Sequence, residues 1–415
     1  MTRPRHRRRY VLLGHHLILQ RDYTRFGCDE FKRRGYEVRL ISCWNVLRNG
    51  QNLDTQSESF RNAPGVETPN SREELFEFLD TLQPTDFILP MVGLTYENYW
   101  LFKALSERGL RYSFVNRGKI PSTYLLRLTA TSGVRRLLGM TFRNARQFLT
   151  RLYNKLHLVA QIGLDYWRID GPLIEIRGGV YQAPFTSLFP FSGKSEKVDV
   201  EGFELFWAKQ SEDDPAVTTV EKYALFLEGG VGNQPDAAIW NIPRPKTIDL
   251  YFESLRKTLD KVEANTGHPV IIALHPKSSY SKSEADRLFG GRVTIQGKTA
   301  QLARNASCIL VHYSTSMSFA AIYRKPILFL TNSTLRDFPE GEYVDFMASW
   351  FEQVPLDMDL IDDQSIAIPP VRDDVIDRYV HNFLRAKNAS DEPAWVVVSR
   401  TFEHLMPFTP NRPSL

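Results

Sequence analysis

Two successive α/β units of the Rossmann type are what this sequence predicts, and three observations predict them. Short apolar runs alternate with amphipathic stretches at helical spacing over the first 116 or so residues, and the alternation resumes more clearly between about 222 and 332. The apolar runs lack the polar alternation of half-exposed strands, as a parallel sheet covered on both faces requires. A charged stretch containing proline, "AKQSEDDPAVTT", lies between the two series and sets a boundary near 205–220. A chain of 415 residues is long enough for two domains of ordinary size.

In the first unit "RYVLLGH" reads as a strand, "RDYTRFGCDEFKRRG" as a helix closed by Gly35, and "YEVRLISC" as a strand. "SREELFEFLDTLQ" is a helix that opens on a capping box, Ser71 to Glu74. "TDFILPMVG" is a strand, "YENYWLFKALSERG" a helix closed by Gly109, and "RYSFVN" a strand. A basic helical stretch follows, then a less regular part over about 165–215. In the second unit "KYALFLEGG", "PVIIALHP", "RVTIQG", "CILVHY" and "KPILFLTN" read as strands. Between them "TIDLYFESLRKTLDKVEANTG", "SKSEADRLFGG", "KTAQLARNAS" and "STSMSFAAIYR" read as helices. The organisation is therefore a first domain over 1–210 with a basic helical insertion at about 120–160, a second domain over 215–385, and a helical tail over 386–415 able to pack back on the first domain.

The balance of 42% hydrophobic and 24% charged residues is that of a folded soluble protein, and no apolar run approaches the roughly 18–20 residues of a bilayer span. "MTRPRHRRRYVLLG" reads as a basic tail entering the first strand. Cys28, Cys43 and Cys308 have no paired or metal-like spacing, which suits the reducing cytoplasm. Net charge is only +4, yet Arg108 to Leu164 holds eleven Lys and Arg and no acid. "VRRLLGMTFRNARQFLTRLYNKLHLV" alternates basic and apolar residues at helical spacing. Two readings stand: a helix docking the protein peripherally on the anionic inner face of a membrane, or a solvated helix packed on its own domain. No nucleic-acid motif accompanies it.

Ligands of open α/β sheets bind at the carboxyl ends of the strands. His275-Pro276-Lys277 ends one strand there, Gly297-Lys298-Thr299 ends another, and Ser314-Thr315-Ser316 starts the helix after a third. An imidazole, hydroxyls, a lysine and helix N-termini on one edge suit a nucleotide phosphate. Three groups are candidates for a general base. Glu228 ends the strand before Gly229-Gly230, His15 (with His16) follows the first strand, and Glu97 follows "DFILPMVG". Asp357-Met358-Asp359 reads as a solvated turn, not a metal site, and no metal or cofactor is expected.

The run from "IIALHPKSSY" to "RVTIQGKTAQLARNASCILVHYSTSMSFAAIYRKPILFLT" resembles the C-terminal half of GT-B glycosyltransferases that use CMP-activated acidic sugars. Among these are bacterial sialyltransferases, polysialyltransferases and Kdo-transferase-like capsule and lipopolysaccharide enzymes. The shared hallmarks are His275-Pro276 and the Ser/Thr pair Ser314-Thr315 (with Ser316); Lys325-Pro326 before the next strand also fits, and the resemblance covers roughly residues 220–332. The resemblance implies a GT-B fold, with two Rossmann-like domains facing each other across a cleft. It implies a metal-independent glycosyltransferase moving sialic acid, another nonulosonate or Kdo from CMP to a surface glycan or glycolipid. His275 would contact the donor phosphate and help CMP leave, and Ser314 and Thr315 would hold that phosphate. The family's carboxylate pair before glycine is matched only by Glu228-Gly229-Gly230, with one carboxylate missing. Enzymes that add CDP-glycerol to teichoic-acid chains share the His-Pro strand end and have a downstream Ser-Ser helix start, and stand as an alternative. A non-catalytic nucleotide- or glycan-binding subunit is a third.

Overall fold

The computed structural model describes residues 7–15, 18–47, 63–94, 98–117, 120–121, 163, 168–181, 195–231, 247–276, 278–337, 341–363 and 365–407. Two parallel sheets organise them. In the first, β1 (Arg9–Gly14) lies between β2 (Glu37–Ser42) and β4 (Phe87–Pro90), and β2 carries the two-residue β3 (Val66–Glu67) on its outer side. A parallel bridge between Ile88 and Tyr112 continues this sheet into β5 (Ser113–Asn116), β6 (Ile174–Arg177) and β7 (Glu196–Asp199). The second sheet contains β8 (Ala224–Leu227), β9 (Val270–Leu274), β10 (Thr294–Gln296), β11 (Cys308–Val311), β12 (Ile327–Thr331) and β13 (Leu356–Asp357). Its order is β10-β9-β8-β11-β12-β13. Each sheet starts in the middle, adds strands to one side and then crosses to the other. The topological switch points therefore fall between β1 and β4 and between β8 and β11.

The period of two along each strand explains the cores. Leu225, Leu227, Ile271, Ile309 and Val311 pack on one face of the second sheet, and Phe226, Ile272, Cys308 and Leu310 on the other. The first sheet divides likewise, with Tyr10, Leu12 and Phe87 on one face and Val11, Leu13 and Ile88 on the other. The two Rossmann-like α/β units expected from the alternation of elements are thus the observed architecture.

Three expectations need correction. The helix expected over "RDYTRFGCDEFKRRG" is two, Gln20–Arg25 and Cys28–Arg33, because Gly27 turns left-handed (φ +75) beneath the Trp395 ring. The part expected to be irregular supplies β6, β7 and the Phe203–Gln210 helix. The capping box at Ser71 is only half formed. Ser71 Oγ accepts the Glu74 N–H (3.2 Å), but the Glu74 carboxylate takes the N–H of Asn70 (2.8 Å) instead of that of Ser71. A complete capping box stands at Ser281 and Glu284.

The Ala394–Leu405 helix packs in the core of the first sheet, where Trp395, Val398 and Phe402 join Tyr10, Phe31 and Phe87. Trp395 Nε1–H donates to Arg25 O (2.9 Å). All three cysteines are buried and free. Among the described residues no helix is long and apolar enough to cross a membrane.

Candidate functional site

At the carboxyl edge of the second sheet, β8 sits between β9 and β11. His275 follows β9, Glu228-Gly229-Gly230 follows β8, and His312-Tyr313-Ser314 follows β11. The strand ends carrying His275 and Ser314 are thus two strand spacings apart, about 10 Å. Gly230 has φ +74, so the turn out of β8 needs glycine there. A Cβ placed on Gly229 would lie 3.9 Å from Tyr313 O, so the loops meet across the switch point.

Glu228 is buried, 5% exposed, and its carboxylate is engaged by its neighbours. Oε2 accepts the His275 N–H (3.0 Å) and Ser278 Oγ–H (3.0 Å). Oε1 accepts the Gly230 N–H and the more distant Tyr280 hydroxyl (3.4 Å). Burial is the largest influence on this carboxyl and pushes its pKa above the usual range, against the hydrogen bonds from His275, Ser278, Gly230 and Tyr280. From the other side, Gln296 Nε2–H₂ donates to His275 O (2.9 Å) and Ser278 O (2.8 Å). The His275–Ser278 turn, itself closed by Ser278 N–H on His275 O (2.9 Å), is therefore held by its backbone from both directions.

The opposite wall has a prop that sequence patterns do not reveal. His312, 2% exposed, lies between Leu330 O (2.8 Å from Nδ1) and Tyr251 OH (2.8 Å from Nε2). A carbonyl only accepts, so Nδ1 carries the proton and Nε2 accepts from tyrosine. Burial lowers the His312 pKa to about 4, keeping the ring neutral. The one signal in the sequence is a histidine inside the apolar run "CILVHY"; its partner, 61 residues away in the Ile248–Thr266 helix, cannot be read from spacing.

Two residues past His312, Ser314 starts a short 3₁₀ turn, Thr315–Met317, and its Oγ accepts the Ser316 N–H (3.2 Å). Thr315 is exposed, and the Ser318–Ile322 helix continues from the turn. Gly297, Lys298 and Thr299 follow β10, at the end of the sheet beyond His275, and Lys298 precedes the Thr299–Asn305 helix without capping it. Topology thus gathers His275, Glu228 and Ser314 about the switch point and sets Lys298 at the margin.

In the first sheet His15 follows β1 at the corresponding switch point. Its Nδ1 lies 2.8 Å from Met91 O, in the segment after β4. The carbonyl again requires Nδ1–H, which makes Nε2 the basic nitrogen of the neutral ring. Glu97, His16 and Lys277 lie outside the described residues, as does most of the basic stretch. Of its eleven basic residues, Arg108 donates Nε–H to Asp80 (2.7 Å), and Arg117 is buried with Nε–H on Glu201 O (2.7 Å) and its guanidinium 4.3 Å from the Phe203 ring centre. Arg111 donates to Gly171 O (3.5 Å), so all three described members of the stretch serve internal contacts.

Asp357 pairs with Arg336 (2.7 Å). Asp359, read from the sequence as part of a solvated turn, is exposed but accepts from Ser333 N (2.8 Å), Ser333 Oγ (2.6 Å) and Ser254 Oγ (3.0 Å), tying the start of a short helix. Among the described residues, no three His, Cys, Asp or Glu side chains group as metal ligands.

No protein-family model matches the chain. No curated protein matches it either. Solved structures do. A wall teichoic acid polymerase TagF variant soaked with CDPG aligns over 96% of this chain and 90% of its own, at 11% identity and a TM-score of 0.49. A UDP-N-acetylglucosamine 2-epimerase aligns over 99% of this chain and 100% of its own, at 12% identity and a TM-score of 0.46. Arabidopsis thaliana UGT89C1 complexed with UDP-L-rhamnose aligns over 97% and 95%, at 9% identity and a TM-score of 0.38. Likeness at this level assigns neither donor nor reaction, so the chemistry rests on this chain's own residues.

Proposed function

We propose that this protein is a metal-independent transferase of the GT-B type that moves an acidic sugar from CMP to a hydroxyl of a glycan or glycolipid. The observation that carries the reading is the pairing, across the β8/β11 switch point, of the clamped His275 turn with the hydroxyl-bearing turn at Ser314 and Thr315. In the reaction the bond between the sugar's anomeric carbon and the CMP phosphate oxygen breaks, and the acceptor oxygen bonds to that carbon. Charge develops on the departing phosphate, where His275 and the Ser314–Ser316 turn donate hydrogen bonds. The acceptor proton passes to His15 Nε2, the ring being oriented by Met91 O.

A second reading, transfer of glycerol phosphate from CDP-glycerol, has one specific observation in its favour. The carboxylate that would serve as base in the CMP-sugar family has its nearest match in Glu228, which is already occupied by the His275 turn. Both donors would use the same phosphate site. Release of cytidine nucleotide from CMP-N-acetylneuraminate, CMP-Kdo and CDP-glycerol separates them. The expected result is turnover of a CMP-linked acidic sugar above CDP-glycerol. The reverse order would favour the second reading, and turnover of none of them, with glycan acceptors supplied, would contradict both.

A further inference from the structure

We propose that Glu228 is a positioning residue whose carboxylate fixes the His275–Ser278 turn, and that it is not the proton acceptor of the reaction. The inference concerns the same site and rests on the reading of His275 as the phosphate contact.

Three observations carry it. First, each carboxylate oxygen already accepts two hydrogen bonds: His275 N–H and Ser278 Oγ–H on Oε2, Gly230 N–H and Tyr280 OH on Oε1. A carboxylate has about four lone-pair sites, so none is left for an acceptor hydroxyl. Second, one of these bonds is made by the backbone N–H of His275 itself and another by the Ser278 side chain three residues on, and Gln296 donates to the carbonyls of the same two residues from the opposite side. Glu228 and Gln296 thus bond the N–H and the carbonyl of His275 from two sides. Third, Glu228 is 5% exposed, and the titratable residues bonded to it are His275, through its N–H, and Tyr280, through its hydroxyl. A base must take up and release a proton through an open path, whereas a carboxylate buried beneath a turn is suited to holding it. Gly230, two residues on, adds its own N–H to the Glu228 carboxylate.

The role separates from that of a base in variants that keep shape but change charge. Glu228→Gln can still present a carbonyl oxygen to His275 N–H and Ser278 Oγ–H, although its NH2 then faces Gly230 N–H and that bond is lost. It is expected to keep turnover within about tenfold of wild type, with the acidic limb of the pH–rate profile in place. Glu228→Ala removes the clamp. It is expected to lower turnover on the order of 10²-fold, the scale of misplacing a reacting group by about 1 Å, and to weaken CMP binding with it. A base would instead lose about 10²- to 10⁴-fold in both variants, with CMP binding unchanged and the acidic limb gone. That outcome would overturn the proposal. Amide hydrogen exchange over residues 270–280 of the full-length proteins gives an arm independent of substrate. Exchange at His275 should be slow in wild type and Glu228→Gln and fast in Glu228→Ala; equal protection in all three would also overturn it. Failure of the donor reading would show separately, as wild-type protein that binds neither CMP nor CDP while the exchange pattern still reports on the clamp.

Discussion

Replacing His275 by alanine is expected to lower turnover by about 10²-fold or more while leaving the protein folded. The magnitude is that of removing one hydrogen-bond donor aimed at charge that develops in the transition state. The backbone bonds of the turn survive the substitution. The turn is held through the His275 backbone, its N–H on Glu228 Oε2 and its carbonyl on Gln296 Nε2, and alanine keeps both bonds. The side chain is only partly buried at the edge of the sheet, so its loss opens no cavity in the core. Steady-state rates with the donor identified in the hydrolysis assay, together with a melting curve, check the point. A well-folded His275→Ala protein with unchanged turnover would remove His275 from the phosphate site.

The largest expected effect on stability lies far from that site. An alanine Cβ at Gly27 would fall 2.2 Å from Trp395 Cγ and 2.4 Å from Cδ2, at a backbone φ of +75. The left-handed conformation alone costs a non-glycine residue about 1–2 kcal/mol, and overpacking adds roughly 1–3 kcal/mol. Trp395 cannot yield easily, since its Nε1–H is held by Arg25 O and its ring lies 6.5 Å from that of Phe31. Gly27→Ala should therefore lower the melting temperature by roughly 5–15 °C and expose the Trp395 ring. Gly35→Ala is the internal control. Its φ is +89 but an added Cβ meets nothing within 4 Å, so only the backbone term remains and a drop of a few degrees is expected. Equal drops in the two variants would show that the tail helix contributes nothing at Gly27.

The strands that are apolar along their whole length were legible because a doubly covered parallel sheet leaves that mark: β8, β9, β11 and β12 all stand where "YALFL", "VIIAL", "CILV" and "ILFLT" place them. β6 and β7 were not legible. "IEIR" and "EKVD" are four residues each and alternate with charges, Arg177 and Asp199 pairing across the two strands, so their local pattern resembles a polar loop. The break at Gly27 has its cause in Trp395, hundreds of residues away. The site divides in the same way. His275 and Ser314 could be read as strand-end and helix-start residues from local pattern alone. That Glu228 is bound to the His275 turn, and that His312 is propped by Tyr251, depends on which strands become neighbours, which spacing along the chain does not encode.

The central claim is that the second sheet holds a cytidine nucleotide at its switch point. A thermal-shift panel of CMP, CDP, UMP, UDP and GDP on the full-length protein tests it directly, since neither the complete donor nor the acceptor has to be identified first. A ligand that binds only the folded state adds stability of about 2.7 kcal/mol at a hundred times its Kd. The expected result is a concentration-dependent rise with CMP or CDP, larger than with either uridine nucleotide or GDP, and reduced in His275→Ala and Ser314→Ala. A larger rise with UMP, UDP or GDP, or a cytidine response untouched by both substitutions, would contradict the account.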